Sequence, residues 1–132
     1  QFLAPWDMRH VVAKLEEGGK GDIILTERGA TFGYNNLVAD MRAIPIMQQL
    51  GYPVCFDATH SIQLPGAAGT ASGGTAEFIP HLAKAALAAG ADLLFIEAHP
   101  SPESALCDSA SQLSFERLAE LLPALVRLKG AL

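Results

Sequence analysis

The stretch VCFDATHSIQLPG, Val54 to Gly66, sets the reading of this chain. Val54, Cys55 and Phe56 are the short apolar run that a buried strand needs, and Ala58 extends it past the charged Asp57. Thr59 and His60 follow at once, and then a segment of small and turn-forming residues. A strand that ends by presenting an acid, a hydroxyl and an imidazole together asks for an explanation. The neighbouring segments supply half of it.

Upstream, Ala43 to Leu50 reads as a helix, with Pro45 tolerated because it falls in the first turn and Gly51 as the stop. Before it, ATFGYNNLVAD has no clean period and carries Gly33 and two Asn, which predicts a long loop. DIILTERG gives a fully buried strand, Ile23 to Leu25, with Thr26, Glu27 and Arg28 at its carboxyl end. Pro5, Met8, Val11, Val12 and Leu15 make an amphipathic helix that stops at Gly18-Gly19.

Downstream, Ser61 to Gly74 holds four Gly and one Pro and is too long for a plain connector, so it is expected to be a functional loop. Thr75 to Ala89 predicts a helix with Phe78, Ile79, Leu82, Ala85, Ala86 and Ala89 on one side. ADLLFIEAHP is a third strand ending in Glu97, His99 and Pro100. Ser114 caps a last helix carrying Leu118, Leu121, Leu122, Leu125 and Leu128, which Pro123 should kink or split.

Helices and strands therefore alternate, the pattern of parallel βα units. In such a sheet, open or closed into a barrel, chemistry gathers at the carboxyl ends of the strands. All three strands end in polar groups: Glu27 and Arg28, Asp57 and His60, Glu97 and His99. Three polar strand ends facing one way suggest a site.

Composition narrows the class. The chain has 132 residues, half of them hydrophobic and 17% charged, as expected of one packed α/β domain. It contains no uncharged apolar run of about 18 residues and no secretory pattern after Gln1, so a membrane segment is not expected. With a net charge of −5 and nine basic residues scattered singly, nucleic acid is a poor partner. Two cysteines, Cys55 and Cys107, are too few for a disulfide scaffold and fit a reducing, cytoplasmic compartment. Gln1 stands without an initiator Met, and Gln1-Phe2-Leu3 reads as the tail of a strand whose beginning is missing, so the chain is expected to be part of a longer protein.

Read from residue types alone, His60, Glu97 and Asp108 can together bind Zn2+, Mn2+ or Fe2+, although their spacing is no local motif; the alternative is a hydrogen-bonded strand-end histidine with solvated acids. Arg28 beside a glycine suggests an anion site, with an ion pair to Glu27 or a neighbouring acid as the alternative. Ser72-Gly73-Gly74 before a helix can cradle a phosphate on free N–H groups, yet Gly-rich helix entries are common. Cys55 reads as a buried inert thiol and Cys107 as a plain free cysteine. His10 and His81, within helices, read as structural or surface residues.

LTERG with FGYNN, then MRAIPIMQQLG, FDATHSIQLPG, ASGG, FIEAHP and ALCD, in this order and spacing, closely resemble the carboxyl-terminal half of the 3-deoxy-D-manno-octulosonate 8-phosphate (Kdo-8-phosphate) synthase family. The resemblance implies a (β/α)8 TIM barrel of which residues 1–132 are the carboxyl-terminal part, the last three βα units with the helix before them. It implies a homotetramer that condenses phosphoenolpyruvate with D-arabinose 5-phosphate and releases phosphate, toward the Kdo sugar of lipopolysaccharide. On that template Arg28 grips the phosphate of phosphoenolpyruvate, and His60, Glu97 and Asp108 match three ligands of the metal-dependent class. His60 and Arg28 would be the catalytic groups. Arg28, Gln63, Ser72 and Gly73 would bind substrate, with the loop from Gln63 to Gly74 closing over the site. The family's fourth ligand position lies outside this sequence, so the resemblance leaves metal dependence undecided. Thr75-Ala76 stand where many relatives carry a basic residue after SGG. The alternatives are a related phosphoenolpyruvate-dependent aldose-phosphate synthase, such as one using erythrose 4-phosphate, and a non-catalytic half-barrel that binds metal or phosphate.

Overall fold

A computed structural model describes residues 1–66 and 73–132. A 3-10 turn at Pro5–Asp7 leads into helix α1 (Met8–Glu17), followed by strand β1 (Leu25–Glu27). Strands β2 (Ala30–Phe32) and β3 (Asn36–Val38), helix α2 (Ala43–Gln48) and strand β4 (Val54–Asp57) come next. After a 3-10 turn at His60–Ile62, the short strands β5 (Gln63–Leu64) and β6 (Gly73–Gly74) precede helix α3 (Ile79–Ala88) and strand β7 (Leu93–Phe95). Two further bridges, β8 (Ala98–His99) and β9 (Leu113–Ser114), lead to helix α4 (Phe115–Gly130).

The main sheet has the order β1-β4-β7 and is parallel throughout, with Leu25 opposite Val54, Cys55 opposite Leu93 and Asp57 opposite Phe95. Because side chains alternate across a strand, this register sends Leu25, Val54 and Phe56 to one face and Thr26, Cys55, Leu93 and Phe95 to the other. The first face packs under α2 and α3, with Ile44, Met47, Ile79, Ala83 and Ala86 completing a dry core, and α4 packs on α3. The second face is uncovered. Ile24, Leu93 and Phe95 lie open there, 55%, 40% and 44% exposed, so the strands are buried on one side and not on both as their composition suggests.

Several expectations are corrected by the structure. The predicted loop 30–40 is an antiparallel hairpin of β2 and β3, turned by Gly33 and Asn35 in the left-handed region (φ 62° and 51°). Gly and Asn read as breakers in sequence because they are what such a turn requires. Within the segment expected to be a functional loop, Gln63–Leu64 pair antiparallel with Gly73–Gly74, and residues 67–72 of it lie outside the described residues. In the third helix a 3-10 turn at Ala76–Phe78 precedes α3 and shifts the buried stripe, so Ala83 and Leu87 are core while Phe78 and Ala85 are exposed. Ser114 does cap α4, its Oγ accepting from Arg117 N at 3.2 Å. Pro123 does not split α4, because it and Ala119, whose carbonyl it leaves unpaired, are both exposed and water can serve that carbonyl.

Candidate functional site at the strand ends

Parallel pairing brings the carboxyl ends of β1, β4 and β7 to one edge, and the segment after β4 organises what gathers there. Asp57 closes β4 buried, its side chain accepting from Thr59 N (3.0 Å) and His60 N (2.9 Å), which folds the chain back into the 3-10 turn at His60. Its second oxygen lies 2.7 Å from His60 Nδ1. An ionised carboxylate only accepts, so Nδ1 carries a proton toward Asp57 and Nε2 is the ring nitrogen turned toward Glu97. The ring is steadied by Phe95, stacked at 5.9 Å between centroids.

Thr59 has a different task. It is fully buried, and its Oγ1 accepts from Glu97 N at 2.7 Å, tying the end of β7 to the end of β4. Gln112 holds the Glu97 Oε2 from the other side (3.3 Å), leaving Oε1 at 3.5 Å from His60 Nε2. Asp108 comes from the loop between β8 and β9 with φ 52°, a left-handed conformation that Asp tolerates better than most residues. Ligand atoms of His60, Glu97 and Asp108 all lie within 4.8 Å of one another, and all three side chains are half-buried. One imidazole nitrogen and two carboxylates at that spacing form a donor set that a divalent cation such as Zn2+ or Mn2+ fits.

Arg28, at the end of β1, is drawn into the same edge through amides. Its Nη2 donates to Gln63 Oε1 at 2.9 Å and its Nη1 to Gln1 Oε1. It forms no ion pair among the described residues, which removes the pair with Glu27 that the sequence left open; Glu27 instead accepts from Gly29 N. Gln63 passes the connection on, its Nε2 donating to Asp108 Oδ1. A cavity of about 340 Å3 opens beside Arg28, lined also by Gln1, Thr26 and Met47.

The remaining candidates separate from this cluster. Gly73 pairs with Leu64 in the β5–β6 bridge, whereas Ser72 falls outside the described residues. His99 turns to Ser101, its Nδ1 2.8 Å from that carbonyl, and His10 and His81 are exposed on helices. Cys55 is half-buried, burial and then Asp57 pushing its thiol up, and Cys107 is exposed with its thiol held up by the Asp108 carboxylate. Sequence reading did not assign roles to Asp57, Thr59, Gln1 and Gln112. For Asp57 a signal existed, since an acid three residues before a histidine at a strand end can orient the ring; for Gln112 there was none.

A parallel sheet with its functional groups collected at the carboxyl ends of its strands defines an α/β protein with a strand-end site. The family model described as the DAHP synthetase I family matches residues 1–132, and the chain belongs to that family. It is 67% identical over 123 residues to the protein named 2-dehydro-3-deoxyphosphooctonate aldolase of Protochlamydia amoebophila (strain UWE25), covering 93% of this chain and 45% of that protein. Proteins of the same name from Desulfosudis oleivorans and Cyanothece sp. (strain PCC 7425) are 60% and 55% identical over 132 residues, 99% and 100% of this chain and 47% and 48% of each relative. The chain spans about half the length of the curated relatives it matches.

Proposed function

We propose that this chain provides the carboxyl-terminal part of a Kdo-8-phosphate synthase, a transferase that condenses phosphoenolpyruvate with D-arabinose 5-phosphate to Kdo 8-phosphate and phosphate. The observation that carries the reading is the meeting of His60, Glu97 and Asp108 at one sheet edge, linked through Gln63 to Arg28. The relatives' shared name supports the reaction class. The uncovered sheet face with Ile24, Leu93 and Phe95 supports a closed (β/α)8 barrel, because further strands would bury that face as a barrel interior. A homotetramer in the cytoplasm, serving lipopolysaccharide Kdo synthesis, belongs to the same proposal. Among the described residues no helix is long and apolar enough to cross a membrane.

The reaction joins two anionic substrates while water adds to a carbon left electron-poor, so the protein must orient three components and offset negative charge. Arg28, with both Nη groups steered by amides, presents its remaining N–H groups to the phosphate of phosphoenolpyruvate. A divalent cation held by His60, Glu97 and Asp108 would supply Lewis-acid polarisation of substrate or water. Asp57 keeps the proton on His60 Nδ1 and so keeps Nε2 available. Gln63, which accepts from Arg28, belongs with Ser72 and Gly73 to the proposed substrate-binding set.

The test is phosphate release by the full-length protein with phosphoenolpyruvate and either D-arabinose 5-phosphate or D-erythrose 4-phosphate. The proposal expects release with arabinose 5-phosphate, lost on chelation of divalent metal and restored by Zn2+ or Mn2+. Turnover with erythrose 4-phosphate alone assigns the related synthase instead, and release with neither sugar contradicts a catalytic role.

A further inference from the structure

Gln63 stands between the two charged halves of the site. Its Oε1 accepts from Arg28 Nη2 at 2.9 Å, and its Nε2 donates to Asp108 Oδ1. Only this orientation is possible, because a guanidinium has donors alone and an ionised carboxylate acceptors alone. The side chain has little freedom to move. Gln63 is 8% exposed, and its backbone is paired to Gly74.

The span is also set from the other side. A Cβ at Gly74 would lie 2.8 Å from Ser111 Oγ and 3.0 Å from the Ala110 carbonyl oxygen, so β6 packs against the turn that carries Asp108 with no space left. That turn is closed by Ser111 N donating to the Asp108 carbonyl at 2.8 Å. The distance from Gln63 to Asp108 is thereby fixed by packing as well as by the hydrogen bond. Despite sharing one amide, Arg28 and Asp108 make no ion pair among the described residues.

We propose that Gln63 is a positioning residue whose amide insulates Arg28 from Asp108, holding the guanidinium open for an anionic oxygen and the carboxylate open for a divalent cation. The inference rests on the reading above, in which Arg28 takes a phosphate and Asp108 a metal ion. A neutral group with one acceptor and two donors satisfies both charges without cancelling either. Take it away, and Arg28 can fold onto Asp108, each quenching the other's ligand.

The experiment measures Zn2+ affinity by chelator competition and, separately, inorganic phosphate affinity by calorimetry, using the full-length protein. Wild type is compared with Gln63→Ala, Arg28→Ala and the double variant. Gln63→Ala is expected to weaken Zn2+ binding by at least about tenfold, the scale of a lost outer-shell partner, and to weaken phosphate binding with it. In the Arg28→Ala background the same change is expected to cost clearly less Zn2+ affinity, because only the lost hydrogen bond to Asp108 remains and the group that would collapse onto it is gone. Equal losses in both backgrounds overturn the insulating role. Wild-type protein that binds neither Zn2+ nor phosphate overturns the functional reading itself, whereas binding of both with no sensitivity to Gln63 overturns only this inference. Gln63→Met keeps length and burial without the amide and carries the same expectation if Gln63→Ala fails to fold.

Discussion

Phe56 and Phe95 sit one strand apart in the same sheet and share almost nothing else. Phe56 faces the helices and is 0% exposed, whereas Phe95 faces the other way, 44% exposed, with His60 stacked on it. The contrast extends to the two faces. One is a closed apolar core of Leu25, Val54 and Phe56 under α2 and α3; the other leaves Ile24, Leu93 and Phe95 exposed and carries the site at its rim. Stability of this chain thus rests on the helix side, and the chemistry gathers at the edge of the side that the chain leaves uncovered.

That division can be broken by paired truncations. Phe56→Ala opens a cavity among side chains that cannot follow it and is expected to cost about 3–5 kcal/mol. Phe95→Ala in the same 132-residue chain should cost less than about half of that, since much of its surface already meets water. Urea denaturation of both variants reads the difference. Equal losses would mean that the open face is covered in solution, and a Phe95→Ala loss that rises in a longer chain would identify the covering strands as part of the same protein.

A smaller effect sharpens the account at the rim. Asp57→Asn keeps the volume of the side chain but can turn an N–H donor toward His60 Nδ1, moving the ring proton to Nε2 and masking the lone pair. Divalent metal affinity should fall by about 10- to 100-fold with little change in the unfolding midpoint. Unchanged affinity would show that His60 is oriented by Phe95 and the backbone alone.

What was legible in the sequence follows a physical line. Helix periods and the apolar run of β4 were readable because burial on one face leaves a one-dimensional signature; Val12, Leu121 and Leu125 are core where the spacing places them, although Leu15 and Leu122 of the same stripes are exposed. The β2–β3 hairpin was not, because β2 is exposed throughout and β3 buries Leu37 alone, too short an alternation to mark a strand. The β8–β9 bridge joins two-residue segments far apart in sequence, and nothing local announces it. At the site, residue types revealed His60, Glu97 and Asp108 as metal-ligand candidates, but not that Thr59 would clamp Glu97 or that Gln63 would span Arg28 and Asp108. Those roles depend on which partners the fold delivers, and a hydroxyl or an amide in sequence is silent about its partner.

The most direct test of the central claim, that three strand-end segments build one cation site, is anomalous diffraction at the zinc edge from crystals of the full-length protein grown with Zn2+. The account predicts a single strong peak within about 2.2 Å of His60 Nε2 and of one carboxylate oxygen each from Glu97 and Asp108. A peak elsewhere, or none at this edge of the sheet while His60 still pairs with Asp57, would contradict it.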